Sequence, residues 1–92
     1  MFCKSYSLDL SAIERELKKL KDSEIQKQIE KKFERLIENP FIGETKKYKL
    51  KNEYVIKVHR QRIVIFYHID QDNCIVLFDR IEEHDKGYKD TF

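Results

Sequence analysis

The chain has 92 residues, 40% of them apolar and 39% charged, with a formal net charge of +2. That length holds one domain, 1–92, with a modest core. No stretch nears the roughly 18 consecutive apolar residues of a membrane span. With no signal peptide apparent, a soluble, cytoplasmic protein is expected.

In chain order, residues 2–6 read as a first strand. Leu10, Ile13, Leu17 and Leu20 then fall at three- and four-residue steps, which predicts an amphipathic helix capped by Asp9 or Ser11. Lys21-Asp22-Ser23 breaks it. Ser23 is the expected N-cap of a second helix, with Ile25, Ile29, Phe33, Leu36 and Ile37 on one stripe. Asn39-Pro40 ends that helix, because proline disfavours a helical residue before it. A loop around Gly43 follows. Strands are predicted at 47–51, 54–60, 62–70 and 74–81, with turns at Lys51-Asn52-Glu53, Arg60-Gln61 and Gln71-Asp72-Asn73. Such short connections imply an antiparallel four-stranded meander. The run Ile63 to Ile69 lacks clean alternation, so it is placed centrally, covered on at least one face. The fold class is α+β, an N-terminal strand and a two-helix hairpin before the meander (β-α-α-β-β-β-β).

Cys3 and Cys74 are too far apart in sequence to form a close-spaced metal or redox pair. They are expected as buried thiols in neighbouring strands, a disulfide being disfavoured in a reducing cytoplasm. Phosphate loops, dinucleotide fingerprints and zinc-ligand spacings are absent, so no cofactor and no metal are expected.

The charge is uneven. Residues 40–69 carry seven Lys/Arg against two acids, whereas residues 70–92 carry three bases against seven acids. Lys49 and Lys51, then Lys57, alternate with apolar residues and so share a sheet face, which Arg62 and Arg80 can join. Lys46, Lys47 and Arg60 add to this middle-third charge. A basic sheet face suits a phosphate backbone. The same row also describes an ordinary solvated face that protects sheet edges. His84 lies four residues before Tyr88, and a His and a Tyr beside cations are suited to RNA cleavage. Singly, such residues near a chain end are more often inert.

The order of these pieces resembles the RelE/ParE toxin superfamily of toxin–antitoxin systems, in particular RelE-like toxins of archaeal or thermophilic sources. The resemblance rests on the strand and two-helix opening, "LIENPFIGETKKYKLKNEYVIKV", "IVIFYHIDQDNCIVLFDRI" and "HDKGYKD". It implies the strand–helix–helix–meander fold and an antitoxin partner that wraps the toxin. For RelE-like members it implies cleavage of mRNA on the ribosome, and for ParE-like members inhibition of DNA gyrase. Lys57 matches the basic residue of the family's Tyr-x-Ile-Lys strand, and Tyr88 its C-terminal Tyr. The Arg of the family's central strand falls on Val64, with Ile63 in place of a Tyr and Arg62 two residues earlier. His84 stands where an Arg is usual.

On that basis the expected function is a ribosome-dependent mRNA interferase, a metal-independent endoribonuclease that inhibits translation. Its catalytic set is Lys57, Arg62, Arg80, His84 and Tyr88, and its RNA-binding set Lys46, Lys47, Lys49, Lys51 and Arg60. The alternatives are a ParE-like gyrase inhibitor, a catalytically degenerate relative that binds an antitoxin, and a nucleic-acid-binding domain without cleavage. The expected partners are an antitoxin, the ribosome and mRNA.

Overall fold

Period-two alternation in the last third of the chain builds a sheet, and the two helices supply its cover. The computed structural model describes residues 3–45 and 53–84. The elements are β1 (Ser7–Asp9), α1 (Glu14–Lys19), α2 (Ser23–Glu38), a 3-10 turn (Pro40–Ile42), β2 (Glu44–Thr45), β3 (Glu53–Val58), β4 (Ile63–Asp70) and β5 (Ile75–Glu83). The sheet order is β1-β5-β4-β3-β2. Three strands of the predicted meander are present as β3, β4 and β5, and a two-residue β2 outside the predicted strands pairs with β3, each strand antiparallel to the next. β1 adds at its edge, parallel to β5, so the sheet is five-stranded and mixed. The predicted first strand, 2–6, lies immediately ahead of the observed one, Ser7–Asp9. The predicted strand 47–51 falls outside the described residues. No helix among the described residues is long and apolar enough to cross a membrane.

One face of the sheet carries Ile56, Val58, Ile63, Ile65, Tyr67, Ile69, Val76 and Phe78 against Ile13, Leu20, Ile29 and Leu36 from the helical layer. On the opposite face Val55, Val64 and Phe66 form a second, smaller cluster. The unbroken apolar run of β4 is explained by this, since both of its faces are covered.

The helix starts differ from expectation. Asp22, not Ser23, caps α2, its carboxylate accepting from the N–H groups of Glu24 (2.8 Å) and Ile25 (3.3 Å). Asp9 accepts from the N–H and hydroxyl of Ser11, and these bonds hold its carboxyl below the usual range. They close the turn after β1, and α1 begins later, at Glu14.

Cys3 and Cys74 form a disulfide with Cα atoms 5.8 Å apart, which corrects the expectation of two free thiols. The reason is the parallel pairing of β1 with β5, which places Ser7 opposite Ile75 and brings the residues before each strand together. Closing so long a loop restricts the unfolded chain. Reduction, or Cys3→Ser, is expected to lower stability by about 2–4 kcal/mol in chemical denaturation; an unchanged midpoint would show that the cross-link restrains nothing.

The end of α2 is fastened to the sheet by one buried hydroxyl. Tyr67 is fully buried and donates to the Pro40 carbonyl at 2.7 Å. Burial pushes its phenol pKa well up, so it remains a neutral donor. Its ring stacks on Tyr54 at 5.6 Å and meets Phe78 at 5.7 Å, and Phe78 in turn meets Phe33 of α2 at 4.8 Å. Gly43 is required by space rather than by conformation, its φ being −71°. A Cβ there would strike the Tyr67 hydroxyl and lie 2.9 Å from the Val55 carbonyl. Tyr67→Phe leaves a buried carbonyl unsatisfied and is expected to cost about 1–3 kcal/mol, read from urea unfolding; a cost near zero would mean that water replaces the bond.

Candidate functional site

The sheet face turned away from the helices is assembled by register. Across β2, β3, β4 and β5, Glu44, Val55, Phe66 and Arg80 form one row. Lys57, Val64 and Glu82 form the next, with Glu53 and His68 paired beyond. Three predicted catalytic residues, Lys57, Arg80 and His84, belong to this face or to the end of β5 that borders it.

Arg80 is held from three sides. Its guanidinium carbon lies 3.6 Å from the centroid of the Phe66 ring, a cation–π geometry. Its Nε is 3.0 Å from Glu82 Oε2 and its Nη1 is 3.6 Å from Glu53 Oε2. Glu82 also faces His84, whose Nε2 lies 3.4 Å from Glu82 Oε1. The His84 N–H donates to the Arg62 carbonyl at 2.7 Å, which anchors the start of the tail. Lys57 places its Nζ 3.0 Å from Glu44 Oε2. The described cations of the expected basic row, Lys57 and Arg80, are thus matched by carboxylates from β2, β3 and β5.

A β-bulge adds two residues that sequence reasoning passed over. The register slips between Phe66 and Tyr67, so that Phe66 pairs with Arg80 and Tyr67 with Phe78. Asp79 is the extra residue, and its carboxylate lies 3.0 Å from Nδ1 of His68. A bulge re-aims a side chain in this way. Counted from Phe78, alternation puts Asp79 on the open face with His68; the bulge brings Arg80 to that face beside it, which no period of two predicts.

Arg62 and Arg60 are not on this face. Arg62 belongs to the β3–β4 turn rather than to β4. It lines a depression of about 510 Å³ with Glu24, Gln28, His59 and Arg60. The central-strand position of the family Arg is filled by Val64, which is fully buried. Arg60, expected to bind RNA, lies in the same turn. Lys46, Lys47, Lys49, Lys51 and Tyr88 fall outside the described residues. Among the described residues, no group of three or more His, Cys, Asp or Glu side chains is placed to hold a metal ion.

With this geometry in view, the comparisons with known proteins are direct. Residues 8–88 match the family model of the ParE toxin of the type II toxin–antitoxin system, parDE. The chain belongs to that family. Solved structures agree on the fold. The isolated E. coli RelE toxin is similar with a TM-score of 0.70 at 20% identity, over 97% of this chain and 89% of that one. RelE in the intact E. coli RelBE toxin–antitoxin complex gives 0.70 at 22%, over 90% and 99%. RelE bound to an antitoxin RelB peptide gives 0.66 at 18%, over 90% and 86%. No curated protein matches the chain. The protein is therefore a type II toxin of the RelE/ParE superfamily, as the sequence resemblance implied.

The carboxylates around Arg80 compete with any anionic ligand of this toxin face. Partly exposed pairs contribute about 0.2–1 kcal/mol each. Replacing Glu53 and Glu82 by Gln is therefore expected to raise affinity for a ribonucleotide such as 3′-UMP a few-fold, followed by NMR titration. An unchanged affinity would mean that Arg80 does not reach the bound phosphate.

Proposed function

We propose that this toxin cleaves mRNA on the ribosome by a metal-independent route, and that an antitoxin protein holds it inactive. The observation that carries the reading is the convergence of Arg80, Glu82 and His84 at the edge of the open sheet face. Cleavage of RNA by its own 2′-hydroxyl requires a proton acceptor, a cation for the phosphate and a proton donor. Glu82 takes the 2′-OH proton as the 2′-oxygen attacks phosphorus. Arg80, with Lys57, meets the negative charge that grows on the non-bridging oxygens. Protonated His84 gives its proton to the departing 5′-oxygen, leaving a 2′,3′-cyclic phosphate and a 5′-hydroxyl. Tyr88 is the second proton donor or stacking group that the family resemblance implies. The His68–Asp79 pair stands beside this set as a further base.

The antitoxin partner rests on the family and on the complexes of E. coli RelE with RelB. The apolar groove between α1 and α2, floored by Leu17, Ile29 and Phe33, suits one face of an amphipathic helix.

A second reading, a ParE-like inhibitor of DNA gyrase, has a specific observation in its favour: buried Val64 stands in the place of a family Arg, and Lys57 and Arg80 are already ion-paired. Cell-free translation with mapping of mRNA ends separates the two. Cuts in translated mRNA are expected, reduced about 10²-fold or more by Arg80→Ala or His84→Ala. Intact mRNA together with blocked gyrase supercoiling would establish the second reading instead.

A further inference from the structure

The cations without carboxylate partners lie elsewhere on the molecule. Along α2, Lys31, Lys32 and Arg35 line a groove of about 410 Å³ whose far wall is the β3–β4 turn, with His59 and Arg60, and Lys57 of β3 lines it as well. This groove adjoins the depression that holds Arg62, and the two share Gln28, His59 and Arg60. Among the described residues, none of Lys31, Lys32, Arg35, Arg60 or Arg62 makes an ion pair, whereas Lys57, where the groove meets the sheet face, pairs with Glu44, and Arg80 pairs with Glu53 and Glu82. No carboxylate lines the groove of 410 Å³, and Glu24 is the single acid of the neighbouring depression.

The turn that forms the far wall is built at a cost. His59, Arg60 and Gln61 have φ values of 52°, 56° and 68°, three consecutive non-glycine residues in the left-handed region. Each such residue is unfavourable by roughly 1–2 kcal/mol relative to the right-handed conformation. The turn is pinned from the helix, where Gln28 Oε1 accepts from the His59 N–H at 2.8 Å, and from within, where the His59 carbonyl accepts from the Arg62 N–H at 3.1 Å. Strain of this kind persists where the surroundings over-determine it, and it clusters at functional segments. Here it presents Arg60 opposite Lys31 and Arg35, which stand about 6 Å apart along the helix.

From this we infer that the α2–turn groove is a second nucleic-acid contact, a track for the phosphate backbone of structured RNA that meets the sheet face at Lys57. The lining discriminates between kinds of partner. Its one apolar residue is Val58, which is buried. A protein partner needs apolar or aromatic anchors at the centre of its interface. A phosphate backbone needs cations and hydrogen-bond donors, and the groove offers those. The choice of RNA over DNA rests on the proposed function; the position of the groove does not.

The test is binding of a fluorescein-labelled 20-nucleotide RNA hairpin to the full chain, followed by anisotropy over a salt series without ribosomes. Wild-type protein is expected to bind with a steep salt dependence. Lys31→Ala/Lys32→Ala/Arg35→Ala/Arg60→Ala is expected to lose about ten-fold or more in affinity and to flatten the slope by about 3, near 0.9 per phosphate contact. The charge-matched control, Lys4→Ala/Lys18→Ala/Lys19→Ala/Lys21→Ala, is expected to bind within about two-fold of wild type. Equal losses in both variants, an unchanged groove variant, or groove-dependent binding of an acidic peptide but not of the hairpin would each overturn the inference. If the groove variant alone misfolds by circular dichroism, Lys31→Glu and Arg60→Glu singly make the same comparison. Failure of the cleavage reading appears separately, as intact mRNA in translation with groove binding retained.

Discussion

The buried hydroxyl of Tyr67 is the constraint on which the arrangement of layers depends. Proline at position 40 ends α2 and frees backbone carbonyls that an ordinary helix would use. One of these, the carbonyl of Pro40 itself, is turned into the core, where water cannot reach it. Tyr67 projects from the central strand and supplies the missing donor. This single bond fixes where the helical layer leaves the sheet, and Gly43 makes room for it. The aromatic contacts from Tyr54 through Tyr67 and Phe78 to Phe33 spread the same fastening across three strands and a helix.

With the layers held, the open face of the sheet becomes a rigid platform. Its cations are neutralised in place by Glu44, Glu53 and Glu82, and one of them is stacked on Phe66. Such an arrangement orients Arg80 at the expense of its availability, since a ligand phosphate must exchange with a carboxylate already there. Among the described residues, Lys31, Lys32, Arg35 and Arg60 make no ion pair, and they gather where α2 and the strained turn at the end of β3 form a groove.

Much of this was legible in the sequence. The apolar spacing marks two helices, Asn39-Pro40 marks the end of the second, and the meander follows from short turn-rich links between alternating segments. Lys57 sits on the face that its alternation assigns, and Arg80 reaches the same face through the bulge in β5. Arg62 does not, because the left-handed turn extends to it and β4 starts one residue later. Arg80 joins the face of Asp79 and His68 only because a bulge breaks the period of two. The caps were misplaced by one residue at α2 because Asp22 and Ser23 are both good caps, and only the chain direction entering the helix chooses between them.

The sequence by itself determined the order and type of elements, the family and the sign of the charge in each third. Those properties are local, written in spacing and composition. Only the tertiary structure decided the pairing of β1 with β5, the Cys3–Cys74 cross-link, the partners of each cation and the groove beside α2. Each of these joins residues far apart in the chain, and their meeting is set by strand register and layer packing, which no short window of sequence contains.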